Sequence, residues 1–396
     1  MKRILAFGGV VATTGLLAAG LAAPAQAAGD VSTDPLAVNG IAVANIVAYW
    51  TNEHNANLIN ATPYNVETTV PAKHVSTGGP SADSKPGVVP AIGDEKKTVS
   101  KSKNVNLPKT TGKVFFTGAD NKSHWCSATS VQSTYHNLVA TAGHCVYDTV
   151  SNADTMKNWV FIPGYYQAKT PWGIYVGKQA FTHYDFDVYE DGDRDYAFVT
   201  VYNGLKAYNG AIAVNVEDTP SAWKEVTEAS YNQYDPKIRA VTYKDGKKHY
   251  WARKFIDAGR LGDNVGGQGL AYNQKVGSPV FVFGYPSGSH PDGNHAYSGQ
   301  TLKWSYGKTF AATASAIKGE ELVGVKSSFT GEGSIGSSWL LKYSNARRLG
   351  YLNGVTIGVS DTDKNNRIDT SVSPYFDGEL YGVYSAAKNL WSGSVA

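Results

Sequence analysis

The chain has 396 residues, with 36 basic and 33 acidic side chains for a net charge of +3, and it carries 42 glycines, 25 tyrosines and 9 tryptophans. So small a charge excess, spread along the chain, excludes the basic stripe that a nucleic-acid partner requires. The glycine and aromatic content, with few long apolar helical periods, excludes a helical bundle and points to a turn-rich β protein.

In chain order, Met1-Lys2-Arg3 is followed by an apolar run from Ile4 to Ala23 and by Pro24-Ala25-Gln26-Ala27-Ala28. Residues 1–28 read as a secretory signal peptide with a small-residue cleavage site. A membrane anchor is the weaker reading, because Gly8, Gly9, Gly15, Gly20 and Pro24 interrupt the stretch. The mature chain is expected outside the cell, soluble, monomeric and without a membrane partner.

Residues 29–110 are expected to be a prosegment or linker, partly disordered. A helix is predicted over Ala44–Ala61, after which a Pro/Gly/Ser/Thr/Lys-rich run to Lys109 has no apolar period and too little apolar surface to bury. Cleavage near Lys109 to Lys113 would release it. From residue 111 to 396 the texture changes to short β-rich runs between turns, among them Lys113–Phe116, Leu138–Ala142, Tyr196–Val201, Val280–Phe283, Trp339–Leu341 and Val355–Val359. Such spacing argues a sandwich or barrel rather than βαβ units. The stretch Leu380–Trp391 is the best candidate for a C-terminal helix.

Cys126 and Cys145 are the only two cysteines, and in an exported chain they are expected to form one local disulfide. The sharpest signal surrounds them: Cys126-Ser127-Ala128-Thr129, then Leu138-Val139-Ala140-Thr141-Ala142-Gly143-His144-Cys145. A strand carries the first cysteine and a second strand delivers His144 beside the other. A general base must be held within hydrogen-bond reach of its nucleophile, which gives such a bridge a positional purpose. This segment resembles the histidine region of the trypsin/chymotrypsin family of serine peptidases.

The resemblance implies an all-β fold, a trypsin-like double six-stranded β-barrel with a C-terminal helix, covering residues 111–396. It also implies a secreted endopeptidase that hydrolyses peptide bonds of a peptide or protein substrate through a Ser-His-Asp triad, with no cofactor and no metal. Asp193-Arg194-Asp195-Tyr196-Ala197-Phe198-Val199 resembles the family's Asp-x-Ala-Leu segment, so Asp195 is expected to orient His144 and stabilise its imidazolium. Val282-Phe283-Gly284-Tyr285-Pro286 is similar to the Gly-Tyr-Pro segment of glutamyl endopeptidases and their secreted actinobacterial relatives.

Around the nucleophile the chain departs from the family. It reads Gly331-Glu332-Gly333-Ser334-Ile335-Gly336-Ser337-Ser338-Trp339 where the family has Gly-x-Ser-Gly-Gly-Pro or Gly-x-Ser-Gly-Ser-Pro. In one register Ser334 is the nucleophile, with oxyanion amides from Gly333 and Ser334. In the other, which follows a Gly-Ser-Ser-Gly-Ser-Pro-Trp pattern, Gly333 is the oxyanion glycine, Trp339 falls in place and the nucleophile position is Ile335. That second register implies a peptidase-fold protein that binds a peptide or another partner without cleaving it. The residue six before the nucleophile, Ser328 or Phe329, is not an aspartate, so a preference for Arg or Lys is not supported.

His290 and His295 lie in a Gly/Pro/Asp-rich loop and receive no role. The stretch Asp361 to Asp369 resembles the start of a calcium loop, but Val372 stands where the bidentate acid belongs, so a polar hairpin loop is expected. Aromatic richness also fits a polysaccharide-binding β protein, although any β core uses such residues.

Overall fold

The computed structural model describes residues 30–64, 69–93, 105–149, 153–207, 215–289, 296–327, 329 and 332–395. The signal peptide expected over residues 1–28 lies outside them, as do Ser328, His290 and His295. Among the described residues no helix is long and apolar enough to cross a membrane.

The N-terminal stretch forms β1 (Val31–Pro35), α1 (Gly40–Asn60), β2 (Thr62–Pro63), β3 (Lys73–His74) and β4 (Gly87–Val89). The next six strands are β5 (Thr111–Thr117), β6 (Ser123–Val131), β7 (Leu138–Thr141), β8 (Lys157–Pro163), β9 (Tyr175–His183) and β10 (Ala197–Val201). They pair in the order β9-β8-β5-β6-β7-β10, and β10 returns to pair with β9, which closes a six-stranded barrel. A long connection then carries a small antiparallel sheet of β11 (Trp223–Val226), β12 (Arg239–Lys244) and β13 (Lys247–Arg253).

The second barrel is built from β14 (Gly269–Tyr272), β15 (Pro279–Gly284), β16 (Lys303–Ala314), β17 (Gly319–Lys326), β18 (Ser338–Ser344), β19 (Leu349–Val355), β20 (Gly358–Ser360) and β21 (Thr370–Pro374). Strands β21-β17-β16-β15-β18-β19 are neighbours in that order, and β19 runs through Thr356 and Ile357 into β20, which pairs with β21 and brings the ends together. The alternating residues Val280, Val282, Val323, Val325, Trp339 and Leu341 fill this barrel. The fold is the expected all-β double barrel, closed by a C-terminal helix, α2 (Gly378–Ala387).

Helix α2 begins where the Asp377 carboxylate accepts the Leu380 amide at 3.0 Å. It ends before the expected Trp391, because the tail is captured by the β6–β7 turn: Asn137 Nδ2 donates to Leu390 O at 2.9 Å and Thr134 Oγ1 to Asn389 Oδ1 at 2.6 Å.

The described residues of the N-terminal stretch pack on both barrels. Helix α1 is longer than its predicted span and bends at Asn52–Asn55, where Glu53, His54 and Asn55 take left-handed backbone angles. It lays Val43, Val47 and Trp50 on Phe115, Val160 and Ile162 of the first barrel. Burial on both faces explains why every residue of β5 is buried, in place of the alternation of a half-exposed strand. Strand β1 adds to β9, β3 to β16 and β4 to β14, so the segment ties into both barrels. Low local hydrophobicity concealed this, because the segment borrows its apolar partners from the barrels. Lys113 lies inside β5 and is buried, so a cut at that residue would require the strand to open.

The barrels are clamped by Asp193, in the turn Gly192–Arg194 ahead of β10. Its carboxylate accepts the amides of Glu320 and Glu321 at the start of β17, both at 2.8 Å. Burial raises its pKa from 3.8 to about 6, against the lowering effect of those two amides. A folded value above the unfolded one makes a contribution that is complete below the unfolded pKa and is lost as pH rises through about 6. The stability difference between the native protein and Asp193→Asn is therefore expected to fall by on the order of 3 kcal/mol between pH 4 and pH 7. Urea denaturation across that range checks it; a flat difference would refute the assignment.

Candidate active site

The short turn Gly143–Cys145 follows β7 and presents His144 at the end of the strand. Its position is fixed three ways. The Cys126–Cys145 disulfide joins the turn to β6, with 6.3 Å between Cα atoms. The Asp195 carboxylate, at the entry to β10, accepts from the His144 amide at 3.0 Å through Oδ1 and from its ring Nδ1 at 2.5 Å through Oδ2. Trp159 Nε1 donates to Cys145 O at 3.1 Å from the barrel interior. A carboxylate oxygen only accepts, so Nδ1 carries the proton and Nε2 the lone pair, the tautomer a general base needs. This His–Asp pair sits at the ends of first-barrel strands, and Ile335 of the loop between β17 and β18 shares an apolar cluster with Ala142 and Cys145 on either side of the Gly143–His144 turn.

The chain is an all-β double barrel with a C-terminal helix.

In structure it is similar to a thermostable serine protease, AL20, from an extremophilic microorganism, at 22% identity and TM-score 0.48 over 71% of this chain and 97% of that one. The protease Anisep from Arthrobacter nicotinovorans gives 22% identity and TM-score 0.48 over 72% of this chain and 98% of that one. A Glu endopeptidase gives 14% and 0.43 over 74% and 98%. No family model matches the chain, and no curated protein matches it by sequence.

The loop between β17 and β18 is held by Ser127, the residue after Cys126. Its amide donates to Ile335 O at 2.8 Å, its hydroxyl donates to Gly333 O at 3.1 Å, and the same hydroxyl accepts the Tyr285 amide at 2.9 Å. Sequence reasoning missed Ser127, because nothing local separates a serine that clamps a distant loop from one that merely fills a strand.

Two glycines in this loop are demanded by space. A Cβ on Gly333 would lie 2.3 Å from both the Trp125 ring and Tyr285 O, and one on Gly336 would lie 1.9 Å from Ser127 O. Gly336 also has φ +78, a left-handed conformation that side chains resist. Gly336→Ala is therefore expected to cost about 1–3 kcal/mol from backbone strain alone, with the clash in addition; an unchanged urea midpoint would contradict this. Gly284 has a similar reason, since its Cβ would fall 1.9 Å from Ser337 Oγ.

Ser334 and Ile335 lie between those glycines, and both are fully buried. Ser334 Oγ has no hydrogen-bond partner among the described residues, so it is not bonded to His144. Ile335 belongs to the apolar cluster that also contains Cys126, Cys145, Ala142 and Ile357. The stretch Glu332–Ser334 forms one 3-10 turn. Trp339, in contrast, is locked: it is fully buried and its Nε1 donates to Thr356 Oγ1 at 2.9 Å.

Of the residues considered for specificity, Phe329 is fully buried in the second-barrel core. The loop from Asp361 folds as a polar hairpin: the Asp361 carboxylate accepts the amides of Asn365 at 3.2 Å and Asn366 at 2.8 Å, while Asp369 accepts from Thr362 and pairs with Lys326.

Proposed function

We propose that this protein binds a peptide, or a partner that presents one, through its peptidase-like double barrel without cleaving it. The observation that carries this reading is the placement of the two glycines the loop requires, at 333 and 336. That spacing fits the register in which Gly333 stands at the oxyanion position and Ile335 at the nucleophile. An isoleucine cannot attack a carbonyl, and without a nucleophile only binding and the oxyanion site remain. The unbonded Ser334 Oγ supports the same conclusion.

The second reading, a secreted serine endopeptidase with Ser334 as nucleophile, is favoured by the retained His144–Asp195 bond. In that mechanism Ser334 would attack, His144 would take and return the proton, and amides near Gly333 would hold the oxyanion. The two readings separate on labelling of the exported protein with a fluorophosphonate probe. The binding function predicts no label on folded protein beside a labelled trypsin-like control. Labelling that disappears in Ser334→Ala would establish the peptidase.

A further inference from the structure

The small sheet of β11, β12 and β13, carried on the connection between the barrels, has two unlike faces. Ala252 of β13 packs with Tyr234 and Ile238 against Ala44 and Ala48 of α1. Asn45 fastens the connection there, since its Nδ2 donates to Gln233 O at 2.9 Å and its Oδ1 accepts the Asp235 amide at 2.8 Å. Side chains alternate across a strand, so Trp251 and Arg253, on either side of Ala252, belong to the other face. The register sets Trp223 opposite Arg253 and Ala240 opposite Trp251, with Thr242 two residues beyond Ala240.

That second face is the floor of a pocket of about 380 Å³, in the size range of small-molecule sites. Trp223, Ala240, Thr242 and Arg253 line it from the sheet, and Val216 and Glu217 from the connection. Lys237 and Arg239 also reach it, but Lys237 pairs with Glu53, and Arg239 donates to Tyr231 O at 2.9 Å while stacking over that ring. The chemistry of the floor is one-sided, because guanidinium and indole N–H groups donate and never accept. Arg253 is 5% exposed, and burial lowers its pKa, the mark of a charge held away from water. Trp223 is 7% exposed, and its Nε1 is buried with no hydrogen-bond partner, whereas the neighbouring Trp251 Nε1 donates to Thr242 Oγ1 at 2.9 Å. Only an acceptor completes such an N–H, and an oxyanion brings the acceptor together with the charge that suits Arg253. Glu225, on the same face, is engaged by His249 at 2.7 Å. Among the described residues Glu217 is the one acid that lines the pocket, and it is exposed.

We propose that this pocket binds a small oxyanion ligand, a carboxylate or phosphate carried on an apolar or aromatic body, with Arg253 and the Trp223 indole N–H as its donors and Val216 and Ala240 against its body. Carboxylate and phosphate share the recognition chemistry, since either accepts from a planar guanidinium. The site has no residue in common with the His144–Asp195 pair or with the loop from Glu332 to Trp339. It therefore stands whichever reading of that loop holds.

The test is calorimetric titration of the full exported protein at low salt with phenyl phosphate, with phenylacetate and, as the uncharged control, with benzyl alcohol. At least one of the two anions should bind saturably and benzyl alcohol should not; the anion that binds more tightly identifies the headgroup. The Trp223 indole N–H resonance, assigned by its loss in Trp223→Phe, should move downfield as that anion is added. Arg253→Met keeps an apolar stem of similar reach and should weaken binding about tenfold or more. Glu217→Gln removes an exposed like charge and should strengthen binding about twofold. If Arg253→Met fails to fold, Glu217→Gln and the Trp223 resonance decide. No saturable binding of either anion, equal binding of benzyl alcohol, a Trp223 resonance that stays in place, or an affinity unchanged in the folded variants would overturn the proposal.

Discussion

If the protein binds without cleaving, Ile335→Ser is expected to give it reactivity towards fluorophosphonate that the parent lacks, at a cost in stability. The side chain is fully buried among apolar neighbours, so truncation should destabilise by about 2–5 kcal/mol, with the added hydroxyl making no favourable contribution unless it reaches a partner. His144 is the partner the register assigns, with its Nδ1 proton already held by Asp195 at 2.5 Å. On the order of 10⁶-fold in kcat separates a triad with its nucleophile from one without, so even a poorly aligned serine should label well above the parent. The measurement is label incorporation together with thermal denaturation. Labelling should vanish in Ile335→Ser/His144→Ala. A folded Ile335→Ser protein that remains unlabelled would mean that position 335 does not face His144, and the register would be wrong.

Loss of the Cys126–Cys145 bridge is expected to cost about 3 kcal/mol in the chain-entropy picture, for a sequence separation of 19. The effect should reach His144 before it reaches the barrel. Six closed strands hold the first barrel without the bridge, whereas the turn Gly143–Cys145 depends on it directly. Titration with reductant, followed by the His144 ring proton resonances and by far-ultraviolet dichroism, should show the histidine signals move while the strand signal persists. Two free thiols in the native exported protein, or simultaneous loss of both signals, would contradict this.

The sequence by itself determined the parts whose cause is local. Short alternating runs between turns specify strands, and the segments from Cys126 to Cys145 and around Asp195 carry their chemistry within a few residues, so the barrels, the disulfide and the histidine–aspartate pair were legible from residue order. The start of α2 was nearly so, because Asp377 caps it from the adjacent position.

Three features were decided only by tertiary structure. The demand for glycine at positions 333 and 336 is set by Trp125, Tyr285 and Ser127, all more than 45 residues away in sequence. Burial of β5 on both faces came from α1, far upstream. The path of Thr62–His74 between the barrels was hidden because its short strands make their bonds with β6, β16 and Val359 and carry almost no periodicity of their own. A segment that borrows both its hydrogen-bond partners and its apolar contacts from the rest of the molecule leaves no pattern in its own residues, since the free energy that orders it arises only after the barrels have folded.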